Sequence, residues 1–314
     1  MKIGIFTAST PISSLFPLRS QNAISFLEKQ GHKVIVGNLF KSRDFYRSGS
    51  IQSRAQEINN LVKEPLDWLM ANIGGYNTNA ILPYLDYELI NENVQAIVGF
   101  SDTTALLNAV AQKCPKVKVF YGPALTPNFG EWEPFLQEMA YQNLFHRHMP
   151  LTDSGFLYET SPNWVTIKAP SKIVTNTWQV KNKNHHQTIT GIVKGGNLST
   201  LMGIWGSEYA PVFTNQDILF IEDAEKTISE VERYFSFLKI NGIFDKVRAV
   251  ILGTHHQFQD FHTERQPIDV LIEVLNGQPL PIIYDVNISH SKPMLCLKLN
   301  SLTTIDFDKL IIMQ

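Results

Sequence analysis

Short apolar runs recur along this chain, and most leave through a polar or glycine-bearing turn into a stretch whose apolar residues fall at helical spacing. Residues 2–7 form the first run, and the Ala8-Ser9-Thr10-Pro11 turn leads to a predicted helix over 18–30 with Ala23, Phe26 and Leu27 on one face. Gly31-His32-Lys33 ends that helix, and Val34-Ile35-Val36 is the next strand. Ile51, Ala55, Ile58 and Leu61 predict a helix over 51–63, while 68–71, 94–98 and 117–121 read as three further strands. This strand, helix, strand order predicts an open parallel sheet joined by right-handed crossovers.

The pattern weakens from 146 to 186, where Pro150, Pro162, Pro170 and the Asn182-Lys183-Asn184-His185-His186 run interrupt it. It restarts with a strand over 188–193, which runs into Gly195-Gly196-Asn197-Leu198, and a fully apolar strand over 218–221, which runs into Glu222-Asp223. An amphipathic helix over 229–240, a strand over 247–252, a helix over 268–275 and a strand over 281–284 follow, and 294–299 with 303–307 read as a closing hairpin. The expected organisation is an N-terminal α/β domain over 1–150, an interdomain loop over 151–186, and a smaller C-terminal α/β domain over 187–314, with the active site at their junction. A length of 314 residues fits two such cores.

Charge narrows the function. Lys and Arg total 27 against 29 Asp and Glu, a net charge of -2 that points to neither a nucleic acid nor a membrane surface as partner. Met1-Lys2-Ile3-Gly4-Ile5-Phe6 enters a strand at once, with no apolar stretch of signal-peptide or membrane-span length, so the expected compartment is the cytoplasm. Cys114 and Cys296 sit far apart among apolar residues and read as two buried thiols.

The 94–114 stretch, VQAIVGFSDTTALLNAVAQKC, packs an apolar run, Ser101 and a helix start into almost no sequence. A helix N-terminus presents unpaired N–H groups and partial positive charge, so a serine there has oxyanion donors beside it. A strand-turn-helix serine nucleophile is built this way. The alternative is an N-cap, with the Ser101 hydroxyl accepting from Thr103 or Thr104 N–H. Gly74-Gly75 follows a strand, as ligand loops do in open parallel sheets, or marks a plain turn. No G-x-G-x-x-G or phosphate-loop ending occurs.

Ser101, Glu222 and His290 each follow an apolar strand, in the chain order nucleophile, acid, base. A serine hydroxyl is a weak nucleophile until an imidazole takes its proton, and the imidazole needs a carboxylate to fix its tautomer. His146 with His148, His185-His186, and His255-His256 with Asp260 and His262 look like metal-ligand clusters. No H-E-x-x-H or cysteine pair anchors them, so no metal is expected.

Several longer motifs carry a resemblance. Ile73-Gly74-Gly75-Tyr76-Asn77, Leu82-Pro83-Tyr84-Leu85-Asp86-Tyr87, Gly99-Phe100-Ser101-Asp102-Thr103-Thr104, Tyr121-Gly122-Pro123-Ala124, Gly195-Gly196-Asn197-Leu198, Phe220-Ile221-Glu222-Asp223 and Ser289-His290-Ser291-Lys292-Pro293-Met294 together resemble the LD-carboxypeptidase family of serine peptidases. The Gly-Gly-x-Asn and Leu-Pro-Tyr-Leu-Asp-Tyr wording, with Glu232-Arg233 and the Gly253-Thr254-His255 turn, is similar to the microcin C immunity branch of that family. The resemblance implies Ser101 as nucleophile, Glu222 as carboxylate and His290 as base, with oxyanion donors from Asp102 and the Gly74-Gly75 loop. It implies substrate contacts from Tyr76, Asn77 and Asn197, and a nucleobase stacked on Trp164 or, second, Trp178. It also implies a homodimer, no cofactor, and a peptide or aminoacyl-nucleotide substrate cleaved at the amide. Removal of a terminal D-amino acid from a murein tetrapeptide is the alternative, and a binding protein that keeps the fold without catalysis is a second. Thr254-His255-His256 stands where the branch usually has Lys-His-Glu, and Ser291 where it has threonine, which bears on substrate identity.

Overall fold

The computed structural model describes residues 1–159, 164, 172–182 and 188–314. Its first sheet holds β1 (Lys2–Phe6), β2 (Lys33–Val36), β3 (Leu66–Ala71), β4 (Val94–Gly99) and β5 (Lys118–Tyr121), all parallel in the order β2-β1-β3-β4-β5. The order reverses between β1 and β3, and a crevice opens there beyond the carboxyl ends of the strands. Alternate residues serve two cores. Ile3, Ile5, Met70, Ala96, Val98 and Phe120 face one way with Ala23, Leu27 and Leu144, while Phe6, Leu69, Ile97, Val119 and Tyr121 face the other. Apolar cover on both faces is why these strands read as continuous hydrophobic runs.

The segment after residue 150 carries β6 (Leu151–Thr152), β7 (Phe156–Glu159), β8 (Lys172–Thr175) and β9 (Gln179–Lys181), so the stretch expected as an irregular crossover contains edge strands. β6 and β9 close the two ends of a second sheet, and β7 pairs antiparallel with β8. At the centre of that second sheet lie β10 (Thr188–Asn197), β11 (Asp217–Glu222), β12 (Val247–Gly253) and β13 (Ile282–Val286), mutually parallel.

The ends of the chain depart from the expected closing hairpin. β14 (Leu297–Leu299) pairs antiparallel with β5 in the first sheet, whereas β15 (Ser301–Asp306) pairs with β10 in the second and with β16 (Ile311–Met313). Asn300 makes the corner in a left-handed conformation, φ 52°, with its N–H on Val193 O at 2.8 Å. Alternating apolar residues identify two strands, but the partner of each is set by the sheets around it.

The helix Thr104–Lys113 lies between the sheets. Seven consecutive residues, Thr104 to Val110, are buried, more than one amphipathic face provides. Asn108 Nδ2 donates to Gly195 O at 3.0 Å, and Asn197 N donates to Thr104 Oγ1 at 2.9 Å. Gly196, at φ 139°, lets the strand come this close, since a Cβ there would lie 2.6 Å from Thr104 Cγ2. Cys114 and Cys296 are buried free thiols, as read from the sequence. Among the described residues no helix is long and apolar enough to cross a membrane.

Candidate active site

β4 delivers Ser101 in a strained conformation. Phe100 is extended and Ser101 has φ 59°, a left-handed conformation that disfavours a side chain. Ser101–Thr103 then forms a single 3-10 turn before the helix Thr104–Lys113 begins. Ser101 is therefore not an N-cap: no side-chain cap bond forms at either helix start, and Thr103 N–H bonds Phe100 O at 3.1 Å. The turn is held from several sides. Ser101 N–H donates to the Tyr121 hydroxyl at 3.1 Å, and the buried Asp102 carboxylate accepts from Asn77 N, Thr78 N and Thr78 Oγ1 at 3.0, 2.9 and 2.7 Å. Burial raises the Asp102 carboxyl above its ordinary range, and these hydrogen bonds oppose the rise.

The Gly74-Gly75 loop packs directly on this turn. A Cβ on Gly74 would lie 2.9 Å from Ser101 Cβ and 3.1 Å from both Ser101 Oγ and Asp102 N. Only glycine lets the loop backbone reach the serine and the amide behind it.

Glu222, at the end of β11, is fully buried. Its Oε2 lies 2.8 Å from His290 Nδ1, while Oε1 accepts from the Tyr121 hydroxyl at 2.5 Å and from Asn197 Nδ2 at 3.0 Å. Burial alone would raise the Glu222 carboxyl, but the charge and hydrogen bond of His290, with Tyr121 and Asn197, bring it below its ordinary range. For His290 burial lowers the imidazole, and the Glu222 charge and hydrogen bond outweigh it, so the net shift is upward. With Nδ1 bonded to the carboxylate, Nε2 is the nitrogen left to exchange a proton. The ring also meets Phe100 edge-on, centroids 5.0 Å apart. A Cβ on Gly253 would fall 2.7 Å from Glu222 Cβ, so that glycine admits the carboxylate beneath the β12 exit.

Ser101 and His290 line one cavity of about 660 Å3, together with Gly74, Gly75, Tyr76, Asp102 and Asn197. Among the described residues no hydrogen bond joins Ser101 Oγ to His290; such contacts commonly tighten only with substrate present. Trp164 also lines the cavity, with the Arg19 guanidinium 4.5 Å from its ring centroid and Phe16 at 5.5 Å.

Two expected substrate contacts are elsewhere. Trp178 is buried, with Nε1 donating to Asn287 Oδ1 at 2.9 Å, so it is a core residue and not a stacking platform. The Asn77 side chain is a brace: its Oδ1 accepts from Ser9 Oγ at 3.0 Å and Arg54 Nη1 at 2.7 Å. Asn197 lines the cavity but bonds Asp223 as well as Glu222, at 3.1 and 3.0 Å. Among the described residues no group of three His, Cys, Asp or Glu side chains is placed to hold a metal; His185 and His186 lie outside them. His255 is half-buried, its Nδ1 3.2 Å from Gly253 O, and desolvation lowers its imidazole.

Tyr121 accepts from Ser101 N and donates to Glu222, tying the two ends of the site together, a role that its place in the Tyr121-Gly122-Pro123-Ala124 motif did not disclose. Lys226, Arg19 and Glu131 also line the cavity without a sequence signal of their own, as does Lys292, which stands in the Ser289–Met294 motif but was given no role.

Known proteins resemble this chain in sequence and fold. Residues 3–122 match the LD-carboxypeptidase N-terminal domain and 190–305 match the LD-carboxypeptidase C-terminal domain. The microcin C7 self-immunity protein MccF of Escherichia coli is 43% identical over 317 residues, covering 98% of this chain and 90% of that protein. A solved structure of MccF in complex with aspartyl sulfamoyl adenosine superposes with a TM-score of 0.94 at 42% identity, covering 99% of this chain and 94% of that one. Other MccF structures hold glutamyl sulfamoyl guanosine, or adenosine monophosphate on a tryptophan-to-phenylalanine variant, and one is an active-site variant with a serine, an asparagine and a lysine replaced by alanine. An MccF-like protein from Bacillus anthracis superposes with a TM-score of 0.85 at 25% identity, covering 99% of this chain and 95% of that one. With its two larger sheets and the whole Ser101 turn inside these matches, the chain belongs to the LD-carboxypeptidase family.

Proposed function

We propose that this protein is a serine amide hydrolase that cleaves an amino acid or peptide from a nucleotide, with Ser101, His290 and Glu222 as its catalytic groups. The observation that carries the reading is the 2.8 Å bond from His290 Nδ1 to the buried Glu222, in the cavity where Ser101 stands on a left-handed turn. His290 Nε2 takes the Ser101 proton as Oγ attacks the acyl carbonyl, and Glu222 holds the imidazolium that forms. Negative charge on the carbonyl oxygen is received by backbone N–H groups of Asp102 and the Gly74-Gly75 loop. The same imidazolium then protonates the leaving nitrogen, the C–N bond breaks, and water attacks the acyl-serine by the reverse path.

The substrate class is supported by Trp164, whose ring is clamped on one side by Arg19 and lines the cavity. Stacking of a base on such a ring contributes roughly 1–3 kcal/mol. The aminoacyl sulfamoyl nucleosides held by MccF, and its tryptophan variant, accord with that placement. We read Lys226, in the cavity, as the counterpart of the replaced lysine. Lys226 Nζ stands 4.0 Å from Asp223, beside the end of β11. The test is a side-by-side assay of aspartyl sulfamoyl adenosine and a murein tetrapeptide, with Ser101→Ala as control. Serine-dependent cleavage of the first at the higher rate is expected; cleavage of the tetrapeptide alone would overturn the substrate class and leave the triad standing.

A further inference from the structure

Two charged groups line the cavity besides Ser101 and His290. Asp223, Glu225 and Glu230 stand with a single cation, Lys226, whereas Arg19 and Lys292 share a single buried carboxylate, Glu131. Exposed Glu133 also lines the cavity but is screened by water. The Arg19, Glu131 and Lys292 side chains are 6, 8 and 12% exposed. Among the described residues, two cations on one buried carboxylate leave a positive charge in excess, which is costly in a low-dielectric site. Burial, and then the Arg19 charge, pull the Lys292 ammonium well below its ordinary range.

The order of contacts gives this charge a place. Lys292 follows His290 by two residues and pairs with Glu131, Glu131 pairs with Arg19, and Arg19 stacks on Trp164. The cations therefore lie between the reaction centre and the aromatic ring. In an aminoacyl nucleotide the anionic link lies between the scissile amide and the nucleoside. Resting on the function proposed above, we infer that Lys292 and Arg19 form an anion subsite that receives the phosphoryl or sulfamoyl link of the substrate.

The experiment compares kcat/KM for aspartyl sulfamoyl adenosine with that for the uncharged conjugate in which aspartate is joined directly to the amine of 5′-amino-5′-deoxyadenosine. Loss of one charged hydrogen bond should lower the ratio of the two about tenfold to a hundredfold in Lys292→Met, with most of it restored in Lys292→Arg. An unchanged ratio, including an equal fall on both substrates from a structural role, overturns the subsite. A second measurement needs no variant: wild-type protein should bind adenosine 5′-monophosphate at least about tenfold more tightly than adenosine by calorimetry, and equal affinities would also overturn it. A wild-type protein that trims the tetrapeptide and cleaves neither conjugate defeats the proposed function and the subsite together, while an unchanged ratio with normal cleavage of the sulfamoyl conjugate defeats the subsite alone.

Discussion

Ser101 occupies a conformation that costs a side chain roughly 1–2 kcal/mol, and the network around it sustains that strain. Ser101→Gly should therefore be more stable than Ser101→Ala by about 1 kcal/mol in denaturant unfolding, although both lose the proposed nucleophile. Equal stabilities would mean the turn is not strained. Ser101→Ala and His290→Ala should each lower kcat by about a thousandfold or more with circular dichroism unchanged, because the members of such a set act as one unit. The pH profile follows from the sign of the His290 shift. The base must be neutral, and Glu222 raises its imidazole against the downward pull of burial, so kcat/KM should climb with pH through an apparent value above the ordinary 6.5 of histidine. Glu222→Gln removes the raising charge and leaves burial, so that limb should move to lower pH while the maximal rate falls. A limb that stays in place would separate Glu222 from His290. At this scale Ser101, Glu222 and His290 were legible as candidates because each lies at or just beyond the end of an apolar strand, whereas Tyr121 and Lys292 stood in recognisable motifs but gained a role only from what they touch.

Among the elements, the helix Thr104–Lys113 and β10 meet in a close approach. Apolar spacing announced the helix, but burial through seven successive residues comes from the second sheet closing over it, which no local pattern encodes. Gly195-Gly196 carries the contact. Gly196→Ala would place a methyl group 2.6 Å from Thr104 Cγ2 at φ 139°, so it should destabilise the fold by roughly 1–3 kcal/mol. Because β10 ends in Asn197, which bonds Glu222, the same variant should also lose turnover. Thermal unfolding and kcat measured on one preparation check both, and a stable, fully active Gly196→Ala protein would show that the close approach is unnecessary. The expected interdomain stacking residue was split in the same way by its surroundings: Trp178 precedes β9 and is drawn into the core by Asn287, leaving Trp164 at the cavity.

For the molecule as a whole, the two sheets are tied together by a returning strand and a shared core. β14 comes from the C-terminal end of the chain and covers the β5 edge of the first sheet. One buried cluster runs from Phe6 and Leu69 through Leu106 and Leu107 to Val193, Phe220 and Ile251. The Lys292 and Glu131 pair joins the two halves again at the cavity. Fold class and the chain order of the site residues were legible in the sequence, since both rest on strand ends and helical spacing. The return of β14 was not, because a three-residue strand carries no mark of its partner. A fragment of residues 1–150 would expose both the β5 edge and the inward face of the Thr104–Lys113 helix, conditions that favour aggregation. It should therefore be insoluble or unfolded, and the full chain should show one calorimetric transition. Leu106→Ala, which removes side-chain volume from the shared cluster, should lower that single transition through a loss of about 2–5 kcal/mol without splitting it. Two resolved transitions in the wild type, or a folded 1–150 fragment, would show that the sheets are stable apart.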